Sequence, residues 1–201
     1  MKFLLKNLLD PVFLSQTPDG AFLTREEVLR RLAADLGRKT GLEPLIGEVD
    51  PASGAVVDLL VPHEGICHGI LLYYKTAVVP GFAYVTHGAQ DQGRCDFVHG
   101  IARLEAMIAS GFLGAGCACL ITNDSLYWRP ARDTLASRSF QLTDGTVFAG
   151  QPAGGWNNRT PVPPLRGRYP LMWQAASRPA LGNAVFKALI VSCGNRKSVE
   201  P

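Results

Sequence analysis

Three short apolar runs constrain this chain more than any other feature. They read GILLYYK at 69–75, AGCACLIT at 115–122 and FKALIVSC at 186–193. None carries the polar alternation of a half-exposed strand, and each falls well short of the roughly 20 apolar residues that a membrane-spanning helix needs. Each therefore reads as a buried strand. The first ends on a cation, Lys75, at a position where a buried strand has no evident use for charge.

The segments between these runs supply the other elements. TREEVLRRLAADLGRKTG (24–41) is a helix, with Thr24 as N-cap and Glu27 three residues on to complete a capping box. Val28, Leu29, Leu32 and Leu36 form its apolar stripe, and Gly37 or Gly41 ends it. LEPLIGEVDPASGAVVDLLVP (42–62) is a hairpin, two apolar runs about Asp-Pro-Ala-Ser-Gly. Pairing Val49 with Ala55 places Glu48 across from Val56, which puts Glu48 and Asp58 on one face, a diagonal apart. CDFVHGIARLEAMIASG (95–111) is a second helix whose apolar face is Ile101, Leu104, Met107 and Ile108. The order of helices and strands predicts an α/β or α+β domain with a mixed central sheet.

At 201 residues the chain suits one domain, 1–201, with ample material for a core. Residues 129–180 are rich in Arg, Pro and Gly and predict an irregular basic loop. Arg159, Arg166 and Arg168 stand there beside Trp156 and Tyr169, a set able to hold phosphates and stack bases. A solvated excursion pinned by its aromatics accounts for the same residues equally well. The charge is uneven: residues 1–100 hold 9 Lys/Arg against 12 Asp/Glu, residues 101–201 hold 11 against 5. A basic half of this kind suits a polyanionic partner, although solvated surfaces often show such asymmetry.

Five cysteines with no CxxC pair predict buried thiols rather than a disulfide framework or a zinc ribbon. In MKFLLKNLLDPVFL the apolar run is broken by Lys6, Asn7 and Asp10, and no small-residue cleavage site follows, so it does not read as a secretory signal. The expectation is a cytoplasmic protein with no membrane segment. There is no G-x-S-x-G, no P-loop and no dinucleotide fingerprint, which leaves esterase, nucleotidase and dehydrogenase readings without support.

Along 69–75, Leu71, Tyr73 and Lys75 share one face. An acid on one strand and acid-x-lysine on the next would build a hard-cation site, carboxylates holding Mg²⁺ and the lysine orienting the attacking water. Asp58 and Lys75 are present, and the positions between read Leu71 and Tyr73. Together VVDLLV, ILLYYKT, RCDFVHGIARLE, CLITNDSLYW and FKALIVSC resemble a bacterial group within the PD-(D/E)XK nuclease-like superfamily. Members of that group carry strands of the form I-E-L-K-Y-K-T, an R-x-D-F helix entry and an L-T-N-D-x-x-Y-W segment. The resemblance covers roughly residues 43–128 and the last strand.

The resemblance implies a restriction-endonuclease-like fold, α/β with a central mixed sheet flanked by helices. It also implies that Asp58 matches the metal-binding aspartate, with Leu71 where the second acid stands and Tyr73 where the paired lysine stands. Lys75 matches a later lysine of the strand, not the catalytic one.

Two expectations follow. In the first, a relocated site survives: Asp58 and Glu48 hold Mg²⁺, Glu26 or Glu27 offers a third acid, and Lys75, about 7 Å along the strand from position 73, positions the water. Arg159, Arg166, Arg168 and Arg103 then grip a nucleic-acid backbone, although a structural pairing with Asp96 or Glu105 is the favoured reading of Arg103. In the second, the chain is an inert module that keeps the fold to bind nucleic acid or a protein partner, a second copy included. Leu71 and Tyr73 then belong to the core, and Lys75 lies along the strand end with its amine in water.

Overall fold

The computed structural model describes residues 24–78, 88–130, 139–152, 161–175 and 185–194. Among them are two α-helices, α1 (Arg25–Thr40) and α2 (Gln90–Ala109). A six-stranded sheet is formed by β1 (Leu45–Val49), β2 (Val56–His63), β3 (Ile66–Lys75), β4 (Ala115–Thr122), β7 (Trp173–Ala175) and β8 (Lys187–Gly194), in the order β1-β2-β3-β4-β8-β7. β5 (Val147–Gly150) and β6 (Leu165–Pro170) form a separate ribbon. β3 and β4 pair in parallel and every other neighbouring pair is antiparallel, so the sheet is mixed and the chain belongs to the α/β class.

α1 forms as its sequence dictates. Thr24 Oγ1 accepts from the Glu27 amide at 3.1 Å. Gly41, at φ +70°, closes the far end by donating to the Gly37 carbonyl at 2.8 Å, a conformation that glycine adopts without a Cβ clash. The reciprocal half of the capping box is diverted, since Glu27 Oε1 accepts from Arg31 at 2.6 Å. Val28, Leu29, Leu32 and Leu36 are buried as the stripe predicts.

The β1–β2 register differs from expectation by one residue. Val49 pairs with Val56 and Glu48 with Val57. The turn explains the shift. The Asp50 amide donates to the Ala55 carbonyl at 2.9 Å, and the Asp50 carboxylate accepts from Ala52 N at 3.1 Å and Ser53 Oγ at 2.5 Å. This closes a four-residue loop rather than the odd-numbered loop that a Val49–Ala55 pair requires. Cross-strand partners share a face and neighbours alternate, so Glu48 takes the face of Val57 and Asp58 the other. β3 begins three residues before the predicted Gly69 because Glu64 (φ +51°) and Gly65 (φ +74°) make a two-residue hairpin turn of the left-handed kind that matches strand twist.

The sheet carries a core on each face. α1 covers Leu59, Val61, Ile70, Leu72, Tyr74, Cys117, Cys119 and Ile121. α2 covers Leu60, Leu71, Ala118, Leu120, Leu189 and Val191 on the other face, joined there by Phe148, Leu165 and Tyr169 of the ribbon. β4 is buried at every position. All the cysteines except half-buried Cys67 are buried thiols, and none is in a disulfide.

Residues 129–180, expected to be irregular, hold β5, β6 and β7. β6 is held by a buried carboxylate. Glu105 on α2 accepts from the Arg166 amide at 2.9 Å, the Gly167 amide at 2.6 Å and the Tyr169 hydroxyl at 2.6 Å. It thereby fixes β6 against the helix while Leu165 and Tyr169 enter the core. Among the described residues no helix is long and apolar enough to cross a membrane.

Candidate functional site

β2 and β3 pair from His63–Ile66 up to Leu59–Ile70. Beyond that point side chains replace the ladder. The Leu72 amide donates to Asp58 Oδ2 at 2.6 Å, and the Leu72 carbonyl accepts from Arg25 Nε at 3.0 Å. Arg25 Nη2 closes the triangle on Asp58 Oδ1 at 2.6 Å. Backbone groups left unmatched where two strands part need polar partners, and the acid and the guanidinium provide them.

A cleft of about 740 Å³ opens over this junction. Its walls include Arg25, Asp58 and Lys75 on the strand side and Asp96, His99 and Arg103 on α2. Pro163, three residues before Arg166, reaches its rim from the ribbon side. The structure therefore brings Asp58, Lys75 and Arg103 to one cavity. Lys75 and Arg103 line it and make no ion pair among the described residues. Glu105, a candidate partner for Arg103, accepts its hydrogen bonds from the ribbon instead. Arg166 and Arg168 project from the outer face of β6, exposed and outside the cleft wall. Arg159 and Trp156 lie outside the described residues.

The acids proposed for Mg²⁺ do not converge. Glu48 is across from Val57 and does not line the cleft. The Glu27 carboxylate is paired with Arg31, and Glu26 is exposed at the start of α1, away from the cleft wall. Leu71 is fully buried in the α2-side core. Both Asp58 oxygens already have partners, and among the described residues no three acid, His or Cys side chains gather as a metal would require. Mg²⁺ favours octahedral oxygen ligation with at least one or two free carboxylates. The described residues do not fit it.

Tyr73 does not replace the missing lysine. Its hydroxyl lies over Gly100 of α2, where an added Cβ would be 2.1 Å away. Burial pushes the Tyr73 phenol up to about 12, opposed by Arg103 and assisted by Asp58 and Asp96. At neutral pH it is an uncharged hydroxyl, able to donate a hydrogen bond but not to act as a base.

The RCDF and TNDSLYW segments meet at the other end of α2. Arg94, 2% exposed, donates from Nη2 to the carbonyls of Leu126 and, at 3.4 Å, Arg129, while its Nη1 faces Asp91 at 3.5 Å. Asp124 accepts from the Leu126 amide and from Gln90 Nε2, each at 2.9 Å. Asn123 clasps Ala77 through both of its backbone groups, at 2.8 and 3.1 Å. These residues cap and tie chain ends. Arg94, Asn123 and Asp124 line no part of the cleft, whereas Asp96 of RCDF does.

Arg25 and His99 are cleft residues that sequence reasoning missed. Arg25 had one legible signal: a cation in the first turn of a helix opposes the macrodipole, which favours acids there. Such a residue calls for a partner elsewhere, here Asp58. His99 had no signal beyond its helix. No protein-family model matches the chain, and no curated protein or solved structure is significantly similar to it.

Proposed function

We propose that this chain is a divergent PD-(D/E)XK-like protein with a restriction-endonuclease-like fold, which binds nucleic acid at its cleft and does not cleave it by a metal-dependent route. The observation that carries this reading is Arg25 on Asp58: the acid at the metal-binding position is neutralised by a guanidinium 2.6 Å away. The mixed sheet and the coupling of RCDF to TNDSLYW support the ancestry. Lys75 and Arg103 in the cleft, with Arg166 and Arg168 on the adjoining ribbon, support a polyanionic ligand.

The test is binding of labelled single- and double-stranded DNA and RNA across a salt series, alongside cleavage assays with Mg²⁺ and Mn²⁺. Affinity should fall steeply as salt rises, by roughly one decade in affinity per decade of salt for each phosphate neutralised. No cleavage should accompany it. Divalent-dependent cleavage that disappears in Asp58→Ala would overturn the reading.

One observation favours an inert module that docks a protein partner. Leu45, Ile46, Val49 and Val56, on the edge hairpin of the sheet, are 40–52% exposed. Unpaired edge strands with apolar side chains are templates for pairing with another chain. Polynucleotide binding with no salt slope, or none at all, supports that reading over the first.

A further inference from the structure

The Asp58–Arg25 contact does more than cancel a carboxylate. A guanidinium carries five N–H donors in a rigid fork. In Arg25, Nε–H is committed to the Leu72 carbonyl and one Nη2–H to Asp58. Three donors remain. The side chain is 38% exposed and lines the cleft, so those donors face its opening. Their direction is set by the two contacts that hold the fork, one to backbone and one to a carboxylate 16% exposed. A charged group fixed in advance at a concave site loses little freedom on binding. Lys75 and Arg103 line the same cavity, both with uncommitted charge among the described residues.

We infer that Arg25 is a built-in replacement for the divalent cation: with Lys75 and Arg103 it receives a phosphodiester of the nucleic-acid backbone, with Asp58 as the residue that positions it. The inference rests on the nucleic-acid reading above and adds the group that makes the contact and its independence of metal. In a metal-holding site the acid presents Mg²⁺ and the ion meets the phosphate oxygen. Here the same acid presents a planar cation whose free N–H groups match two phosphate oxygens. No bond is made or broken, and the interaction is binding alone.

The experiment is fluorescence anisotropy with a short labelled oligonucleotide, run in EDTA and in Mg²⁺, on the full chain and four variants. Affinity should be the same in EDTA and Mg²⁺ apart from the general effect of ionic strength. Arg25→Met should weaken binding about tenfold or more, and Arg25→Lys should recover only part of it, because an ammonium cannot keep both anchors and still present a fork. Arg103→Gln, on the exposed face of α2, should weaken binding several-fold with the thermal midpoint unchanged, which guards against a folding defect in the Arg25 variants. Asp58→Asn should weaken binding although it removes a negative charge from the cleft.

That last sign separates positioning from bulk electrostatics: tighter binding by Asp58→Asn would overturn the inference. So would a Mg²⁺ enhancement that Asp58→Asn abolishes. If the protein binds the oligonucleotide and Arg25→Met and Arg103→Gln leave affinity intact, the inference fails while nucleic-acid binding stands. If no oligonucleotide binds, both fail.

Discussion

α2 makes the same contact twice. Near its start Gly93 lies under the hydroxyl of Tyr127, and two turns later Gly100 lies under the hydroxyl of Tyr73. A Cβ at either glycine would come within 2.2 or 2.1 Å of the phenol oxygen. The surroundings then diverge. Tyr127 is fully buried, and neither its hydroxyl nor Arg94 Nε has a hydrogen-bond partner among the described residues. Tyr73 is half-buried, packs edge-on against Phe97 at 5.5 Å and forms part of the cleft wall. Each end also has an arginine donating to strand or turn carbonyls, Arg94 at the closed end and Arg25 at the open one. One local device thus serves two purposes. Where solvent is excluded the cation ties the chain together. Where it is admitted the cation is held in place and remains available.

The widest separation between the two ends should come from their arginines. Arg94→Ala removes buried donors from two carbonyls, leaves a large void and strands Asp91. Losses of this kind amount to about 3–5 kcal/mol, a large fraction of the roughly 5–15 kcal/mol that holds a domain folded. Arg25→Ala should cost only about 1 kcal/mol, because water can reach Asp58 and the Leu72 carbonyl once the side chain is gone. Urea denaturation of both variants measures this. Equal losses would mean that Arg25 is as structural as Arg94 and that the cleft cation is not free for a ligand.

The glycines sharpen the contrast. Overpacking costs about 1–3 kcal/mol, set against up to about 1 kcal/mol gained when alanine replaces glycine inside a helix. At Gly93 the displaced ring has nowhere to go, and Gly93→Ala should be destabilising by about 1–2 kcal/mol on balance. At Gly100 the ring of Tyr73 can swing toward the cleft, and Gly100→Ala should leave the denaturation midpoint nearly unchanged while it narrows the cavity. A loss at Gly100 as large as that at Gly93 would show that Tyr73 is locked and that the open end is less yielding than its exposure indicates.

The same contrast explains what was legible in the sequence. α1 was readable to its capping residue because Thr24, the Leu stripe and Gly41 act locally. The three apolar strands were readable because burial on both faces erases alternation. The ribbon was not. Its second strand, β6, is held by Glu105, some sixty residues before it, and no local pattern in LRGRYP records that contact. The hairpin register failed on one side chain, since whether Asp50 closes the loop at Ala55 decides which face Glu48 takes. Asp58, Lys75 and Arg103, which line the cleft, were singled out through strand period and the resemblance, yet Arg25 reaches Asp58 from an element 33 residues earlier in the chain. A pairing of that kind is decided by tertiary packing, and composition and periodicity carry no trace of it.

Alkaline pH gives the smallest and most selective comparison. Both phenols are held above their ordinary value of 10, chiefly by burial: Tyr73 up to about 12, and Tyr127 further, with Asp124 adding to the effect. Tyr169, whose hydroxyl donates to Glu105, is raised too. A raised value in the fold means that the native state keeps a proton which the unfolded chain releases. Stability is therefore intact below about pH 10 and declines as pH rises from there toward each native value, by about 1.4 kcal/mol per pH unit for each such tyrosine. Tyr73 should stop contributing near pH 12 while Tyr127 continues. Phenolate absorbance of the native protein should show Tyr73 ionising first, and Tyr73→Phe should remove that step and flatten the decline between pH 10 and 12 by one proton's worth. Tyr127→Phe should flatten it equally and leave the Tyr73 step in place. Should Tyr127 ionise before Tyr73, its hydroxyl would be the one that water reaches more readily, and the contrast drawn between the two glycine–tyrosine contacts of α2 would fail.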